Sequence, residues 1–261
     1  MGIKMIVTDL DRTLLQTDKR ISEYSAKILD RCHADGIKVV FATARPKRTV
    51  STFCHEVPVD ALIMNNGAAI YSDDRLIDKY DIAPEIRNHV LQSICHDYPE
   101  TALSVEIDDM LYTNFDVSDM PNAMHAKRIN FNVLPGRPAD KIMVGVSGMQ
   151  EVDTFSKYLP DDLYIEMNDG KLALIMNKAA TKWNAVKKLM NHYGFLTSEI
   201  AAFGDDYNDL EMIKNCGIGV AMENALEEVK SISDYICGSN DEDGVARWIE
   251  MNIGGNYVSK T

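Results

Sequence analysis

Two short apolar runs, far apart in the chain, each end in a cluster of carboxylates, and this pairing constrains the fold more than any other feature. Lys4-Met5-Ile6-Val7-Thr8 leads into Asp9-Leu10-Asp11-Arg12-Thr13, and Ile200-Ala201-Ala202-Phe203 leads into Gly204-Asp205-Asp206-Tyr207-Asn208-Asp209. Apolar runs of this length, bounded by turn-forming residues, read as strands buried on both faces of a parallel sheet. Open α/β sheets bind their ligands at the carboxyl ends of such strands, where both clusters fall.

The surrounding sequence supports that reading. After strand one, Ile21, Ser25, Ile28, Leu29 and Cys32 fall at helical spacing, with Gly36 as the C-terminal cap. Strand two is Lys38 to Thr43. Pro46 is expected to open a helix with apolar positions Val50, Phe53, Cys54 and Val57, and strand three is Ala61 to Met64. Repeated strand–helix units of this kind imply a doubly wound α/β sheet. From Pro84 the texture changes. A helix to Tyr98 is followed by the short runs Ala102–Ile107, Ile142–Val146, Leu163–Met167 and Leu172–Met176, with a helix at Met149–Leu159. Their alternation predicts an antiparallel sheet with one solvated face. The strand–helix texture returns at Thr181, with a helix capped at Gly194 and strands at Ile200–Phe203, Ile218–Met222 and Tyr235–Cys237. The expected organisation is a core of residues 1–82 and 178–261, interrupted by an α+β insert at 83–177.

Composition narrows the function classes. The 40 acidic against 27 basic residues give a net charge of −13, with no basic tract to hold a nucleic acid. No apolar stretch reaches membrane-spanning length, and the N-terminus runs straight into strand one, so a cytoplasmic protein is expected. Five scattered cysteines without C-x-x-C spacing argue for reduced thiols rather than disulfides or zinc. The six dispersed histidines form no metal-binding pair.

Four groups fall at the ends of four core strands: Asp9/Asp11, Thr43, Asn66/Gly67 and Asp205/Asn208/Asp209, while Lys182 opens the helix after the insert. Oxygen-rich clusters of this kind suit Mg2+, which binds one or two carboxylates together with substrate phosphate. An aspartate can attack phosphorus to give an aspartyl-phosphate, splitting one hard displacement into two. A metal offsets the repulsion between nucleophile and phosphate, a lysine and a hydroxyl hold the phosphate oxygens, and a carboxylate two residues on moves the protons.

With these residues in order, the chain resembles a haloacid dehalogenase (HAD) superfamily phosphatase of the Cof-type branch. The resemblance covers essentially the whole chain. It rests on Asp9-Leu10-Asp11-Arg12-Thr13-Leu14-Leu15, Phe41-Ala42-Thr43-Ala44-Arg45, Lys178-Ala179-Ala180-Thr181-Lys182 and Gly204 to Asp209, with Asn66 to Tyr71 and Ala221 to Ala225 as branch-typical stretches. It implies a Rossmann-like core with an inserted cap domain that sets specificity, Mg2+ as cofactor and a small phosphorylated metabolite as partner. It further implies Asp9 as nucleophile, Asp11 as general acid/base, and Thr43 and Lys182 on the transferring phosphate. Mg2+ would lie on the carboxylates of Asp9 and Asp205 and the backbone carbonyl of Asp11, with Asn208 and Asp209 supporting them. The expected substrate-binding set is Arg12, Thr43, Ala44, Arg45, Asn66, Gly67, Lys182 and Asn208.

The chain departs from the family pattern at four positions. Arg12, Ala44 and Trp183 stand where glycine is usual, and Glu223 replaces a common glycine; Arg12 is the sharpest, a guanidinium beside the catalytic pair. Bland readings stand beside these: N-capping and loop solvation for Asp9 and Asp205, and a solvated helix face for Lys182 taken alone. The trio Arg45, Lys47 and Arg48 reads as a solvated face or an attractor of anions. Met110, Tyr112, Met120, Met124 and His125 read as core or loop of the insert, or as a specificity surface. A phosphomutase using the same intermediate, and a non-catalytic phosphate-ligand sensor, are the competing functions.

Overall fold

The computed structural model describes residues 2–118, 123–168 and 170–253. In chain order, β1 (Met5–Thr8), α1 (Glu23–Ala34), β2 (Lys38–Ala42), α2 (Lys47–Val50), β3 (Ala61–Met64), β4 (Ala69–Ser72) and β5 (Arg75–Lys79) come first. Then come α3 (Pro84–Asp97), β6 (Leu103–Ile107), β7 (Met110–Thr113), β8 (Ala126–Arg128), β9 (Lys141–Gly145), α4 (Met149–Ser156), β10 (Leu163–Asn168) and β11 (Leu172–Asn177). The chain continues as α5 (Lys182–Tyr193), β12 (Ile200–Gly204), α6 (Leu210–Asn215), β13 (Ile218–Ala221), α7 (Glu227–Ile232), β14 (Tyr235–Ile236) and α8 (Gly244–Asn252). It folds into two compact units, one made of residues up to Lys79 together with those from Thr181 onward, the other of Tyr80–Ala180.

The first unit is built on an eight-stranded sheet in the order β14-β13-β12-β1-β2-β3-β4-β5. Pairings from β14 through β3 are parallel, and β4 and β5 extend the edge as an antiparallel hairpin. β1 and β12 are buried at every residue because helices cover both faces, which is why they read as unbroken apolar runs. Their register aligns Thr8 with Phe203, and the Asp9 N–H donates to the Phe203 carbonyl at 3.0 Å, so the two carboxylate clusters emerge side by side. α1 begins where Ser22 Oγ accepts from the Ser25 N–H at 3.0 Å, a cap that contributes about 1 kcal/mol. It buries Ser25, Ile28, Leu29 and Cys32, and Gly36 follows its end at φ +81°.

The helix expected after Pro46 is a single turn, followed by a separate 3-10 turn at Phe53–His55. Pro46 lies at its N-cap, no side chain caps it, and Lys47 and Arg48 put positive charge against the positive end of its dipole.

The second unit carries a six-stranded sheet, β10-β11-β9-β6-β7-β8, antiparallel except for the β7–β8 pair. β7 and β8 add to the strands expected from sequence. The expected solvated face fails at β6, where all five residues are buried, including Ser104 and Glu106; Glu106 stands opposite Lys141 of β9. The ends of this unit are tied together: Ile82 bridges to Ala139, and Asn177 Nδ2 donates to the Asp81 carbonyl at 3.2 Å. Met110 and Tyr112 lie on β7, half-buried; Met124 is exposed and precedes His125 in a 3-10 turn, and Met120 falls outside the described residues. Among the described residues no helix is long and apolar enough to cross a membrane. All five cysteines are free thiols, and burial pushes those of Cys216 and Cys237 up to about 12.

Candidate active site

At the carboxyl ends of β1 and β12 the oxygens of Asp9, Asp205 and Asp209 come within 4.8 Å of one another, and all three residues are buried. Lys182, at the first turn of α5, sends its fully buried ammonium among them, 2.8 Å from Asp9 Oδ1 and 2.7 Å from Asp209 Oδ1. Thr181 caps that helix, its hydroxyl accepting from the Asn184 N–H at 3.1 Å. Gly67, at φ +103°, packs against the same turn, and a Cβ there would lie 2.4 Å from the Thr181 carbonyl oxygen. No other residue fits between β3 and the start of α5.

Asp209 is held at both oxygens, since Oδ2 accepts from the N–H groups of Asp205 (3.0 Å) and Asp206 (3.3 Å). Thr13 donates to Asp205 Oδ1 at 2.8 Å, and Arg12 Nε lies 3.7 Å from Asp205 Oδ2. Burial raises Asp9 well above the usual carboxylate range, and the charges of Asp209 and Asp205 add to this against the opposing pull of Lys182. Burial and the charge of Asp209 push Asp205 up to about 7. Burial opposes the charge on Lys182, but Asp209 and Asp9 outweigh it and hold the ammonium above its ordinary range.

Three buried carboxylates thus face one lysine. A small divalent cation fits this donor set by charge and by chemistry, because hard oxygens suit Mg2+ and its charge would favour the ionised forms of Asp9 and Asp205. Asp209, already engaged at both oxygens, is better suited to supporting such an ion than to binding it.

Asp11 stands apart from the cluster. Arg45 grips it with two hydrogen bonds, Nε to Oδ2 at 2.6 Å and Nη2 to Oδ1 at 2.7 Å, and Lys19 Nζ reaches Oδ1 at 2.7 Å. Partial burial works against ionisation, but these bonds and charges outweigh it and lower Asp11 to about 2. Arg45 also stacks over Phe53, its Cζ 5.2 Å from the ring, so its charge is spent on neighbours rather than on a solvated face. Lys47 lies over the Tyr71 ring.

Thr43 is buried beyond β2, and its Oγ1 accepts from the Arg45 N–H at 3.2 Å, a bond that leaves its own hydroxyl hydrogen available to donate. Asn65, Asn66 and Gly67 are three successive left-handed residues, at φ 48°, 56° and 103°. Such backbone concentrates at functional sites. Asn208 Nδ2 donates to Asn66 Oδ1 at 3.0 Å, and its own Oδ1 is buried with no partner. Ala44 lies outside the left-handed region, so losing glycine there costs the backbone nothing. Arg12 does lie in it, at φ 62°, which explains why glycine suits that position. Asn224 offsets the strain: its Nδ2 donates to the Arg12 carbonyl at 2.8 Å, and its own carbonyl accepts from Arg12 Nη2 at 3.1 Å. Trp183 is half-buried with Lys187 over its ring, and Glu223 is exposed.

Sequence reasoning therefore named the residues that come together at the strand ends. It missed Thr13, Lys19 and Asn224, which act on them from loop positions without periodicity. The place of Thr13 in the first motif and of Asn224 in a branch-typical stretch hinted at a role; Lys19 carried no such signal.

A parallel sheet with an aspartate after one strand, a second aspartate cluster after its neighbour and a buried lysine between them defines a class of phosphoryl-handling hydrolases. The chain belongs to the haloacid dehalogenase-like hydrolase family, whose profile matches residues 6–249, and it is a phosphatase of the Cof-type branch. It is 29% identical over 261 residues to the 5-amino-6-(5-phospho-D-ribitylamino)uracil phosphatase YitU of Bacillus subtilis, spanning 94% of this chain and 96% of that one. A haloacid dehalogenase-like hydrolase from Bacteroides thetaiotaomicron superposes with a TM-score of 0.84 at 25% identity, over 96% of this chain and 99% of that one. A HAD subclass IIB sugar phosphatase shares the fold at a TM-score of 0.83 and 24% identity, over 95% and 98% of the two chains.

Proposed function

We propose that the protein is a Mg2+-dependent phosphatase that hydrolyses a small phosphorylated metabolite through an aspartyl-phosphate on Asp9. The observation that carries this reading is the convergence of Asp9, Asp205, Asp209 and Lys182 in one buried cluster. Bound on Asp9, Asp205 and the Asp11 carbonyl, Mg2+ would supply charge neutralisation between carboxylate and phosphate.

In the first step an Asp9 carboxylate oxygen attacks phosphorus. The new P–O bond forms as the ester P–O bond breaks, and Asp11 gives a proton to the departing alkoxide. In the second step Asp11 takes a proton from water, whose oxygen attacks the same phosphorus, releasing orthophosphate and restoring the Asp9 carboxylate. Lys182 and the Thr43 hydroxyl hold the non-bridging oxygens as charge builds on them. Asn208, with its unpaired Oδ1, and the left-handed turn at Asn66 and Gly67 complete the rim of the pocket, and Arg12 and Arg45 meet the anionic substrate. Arg45 and Lys19 hold Asp11 as an anion, so proton delivery requires both cations to let go; an incoming phosphate offers them another anion. The insert of residues 83–177 serves as the cap that selects the metabolite.

The test is phosphate release from a panel of sugar, nucleotide and ribitylamine phosphates, including the substrate named for YitU, with Mg2+ and without a bisphosphate activator. Turnover of at least one metabolite, abolished in Asp9→Ala, is the expected result. Asp9→Ala activity within a few-fold of wild type would exclude the covalent route. Activity that needs a bisphosphate and yields no free phosphate would point to a phosphomutase.

A further inference from the structure

We infer that Arg12 is a resident cation that competes with the metal for Asp205, so that this phosphatase binds Mg2+ weakly until an anion draws the guanidinium away. The inference rests on the metal role proposed above for Asp205. Both oxygens of Asp205 are already served by this chain: Oδ1 accepts from the Thr13 hydroxyl at 2.8 Å, and Oδ2 faces Arg12 Nε at 3.7 Å. Asp205 itself is buried, its side chain only 3% exposed, whereas the Arg12 side chain is 56% exposed and so reaches both the carboxylate and solvent.

Arg12 does not arrive at Asp205 by chance of rotamer. Its backbone is fixed in a left-handed conformation that arginine adopts only when surroundings impose it. Asn224 imposes it from two sides, through the Arg12 carbonyl (2.8 Å) and the Arg12 Nη2 atom (3.1 Å). Asn224 is anchored in turn, its Oδ1 accepting from the Asn240 N–H at 3.0 Å. Both ends of one arginine are thus tied to one asparagine, and the charge is delivered to the carboxylate cluster.

A positive charge beside a carboxylate that must bind a divalent ion opposes that ion. The same guanidinium is free on its solvent side to take a phosphate oxygen. Metal and phosphate binding are then coupled through Arg12, beyond any direct contact between the two.

Mn2+ alone, counted by electron paramagnetic resonance on the full chain and displaced by Mg2+, tests this without turnover. Arg12→Gln removes the charge and keeps the chain length, and Arg12→Gly also relieves the left-handed backbone. Both should bind Mn2+ on the order of tenfold more tightly than wild type, the scale of one lost charge in a half-solvated setting, with the difference shrinking at high salt. Arg12→Lys should stay near wild type. Orthophosphate should tighten Mn2+ by a larger factor in wild type than in Arg12→Gln. Equal Mn2+ affinity in wild type and Arg12→Gln, or equal phosphate enhancement, would overturn the inference, as would tighter binding in Arg12→Gly alone, which would trace to backbone rather than charge. Asp205→Asn separates the two readings: if it leaves Mn2+ binding intact, the metal role of Asp205 fails. If it abolishes binding while Arg12→Gln changes nothing, only the role of Arg12 fails.

Discussion

Gly204 stands so close to Asp209 that a Cβ at position 204 would lie 2.4 Å from the Asp209 Cγ. The last residue of β12 thus has to lack a side chain for Asp209 to hold Lys182 and the Asp205 and Asp206 amides at once. Gly204→Ala should destabilise the fold by about 1–3 kcal/mol, as overpacking does, and displace the lysine. A misplacement on the order of 1 Å at such a site costs about 100-fold in rate. Denaturant midpoints and initial rates check both; a variant with wild-type midpoint and rate would show that Asp209 is not fixed as described.

Removing Lys182 leaves burial and neighbouring charge to raise Asp9 unopposed. Lys182→Met should cost about 3–5 kcal/mol at neutral pH, the usual penalty for orphaning buried charge. A carboxylate with a raised folded-state value stabilises below its unfolded value and loses that contribution as pH rises, so the deficit should be larger at pH 8 than at pH 5. Thermal melts at the two pH values decide it, and a deficit independent of pH would contradict the electrostatic account.

Metal removal has the same sign in the wild type. Asp205 titrates at about 7 in the fold and, like any aspartate, near about 3.9 when unfolded. The folded state therefore holds the extra proton in that window, and in a chelator the melting temperature should fall as pH rises from about 4 to about 7. Mg2+ should flatten the slope and raise the melting temperature most at high pH. A chelated protein whose stability climbs through that window would be inconsistent with a protonated, metal-free Asp205.

The grip of Lys19 and Arg45 on Asp11 predicts a dependence on leaving group. Lys19→Met removes one of the cations that lower Asp11 to about 2 and so favours its protonated form near neutrality. Hydrolysis of alkyl phosphates, whose leaving oxygen needs that proton, should rise about a few-fold relative to an aryl phosphate that leaves unaided. Parallel changes in both substrate types would place Lys19 outside proton transfer.

How much of this was legible in the sequence depends on where the signal lies. β1 and β12 were readable because strands buried on both faces must be apolar throughout, and the carboxylate clusters follow directly on those runs in the sequence. The hairpins β4–β5 and β6–β7 were not seen whole. Each turns on two aspartates, Asp73-Asp74 and Asp108-Asp109, all four at positive φ. Tight hairpin turns require that backbone but usually obtain it from Asn-Gly or Asp-Gly, so a pair of aspartates reads as mere solvation. β5 hides further because it is an edge strand, Arg-Leu-Ile-Asp-Lys, whose charges belong at an edge. β8 has only three residues and no period to detect. Lys19 and Asn224 escaped for other reasons: Lys19 reaches Asp11 from an irregular loop eight residues on, with no period to mark it, and the partner of Asn224 lies far away in the chain, a pairing of which a single sequence carries no trace.

The bond between Asn177 and the Asp81 carbonyl has a consequence for how the two strands that carry the carboxylate clusters find each other. Pairing β1 with β12 means closing a loop that contains the whole inserted unit, and for a flexible chain each doubling of loop length costs about 0.6 kcal/mol. Because the insert brings its own two ends within hydrogen-bonding distance, once folded it behaves as a connection of a few residues rather than a hundred. Early folding of the insert would then speed assembly of the core sheet, and exchanging it for another unit with equally close ends would leave the search for the β1–β12 register unchanged.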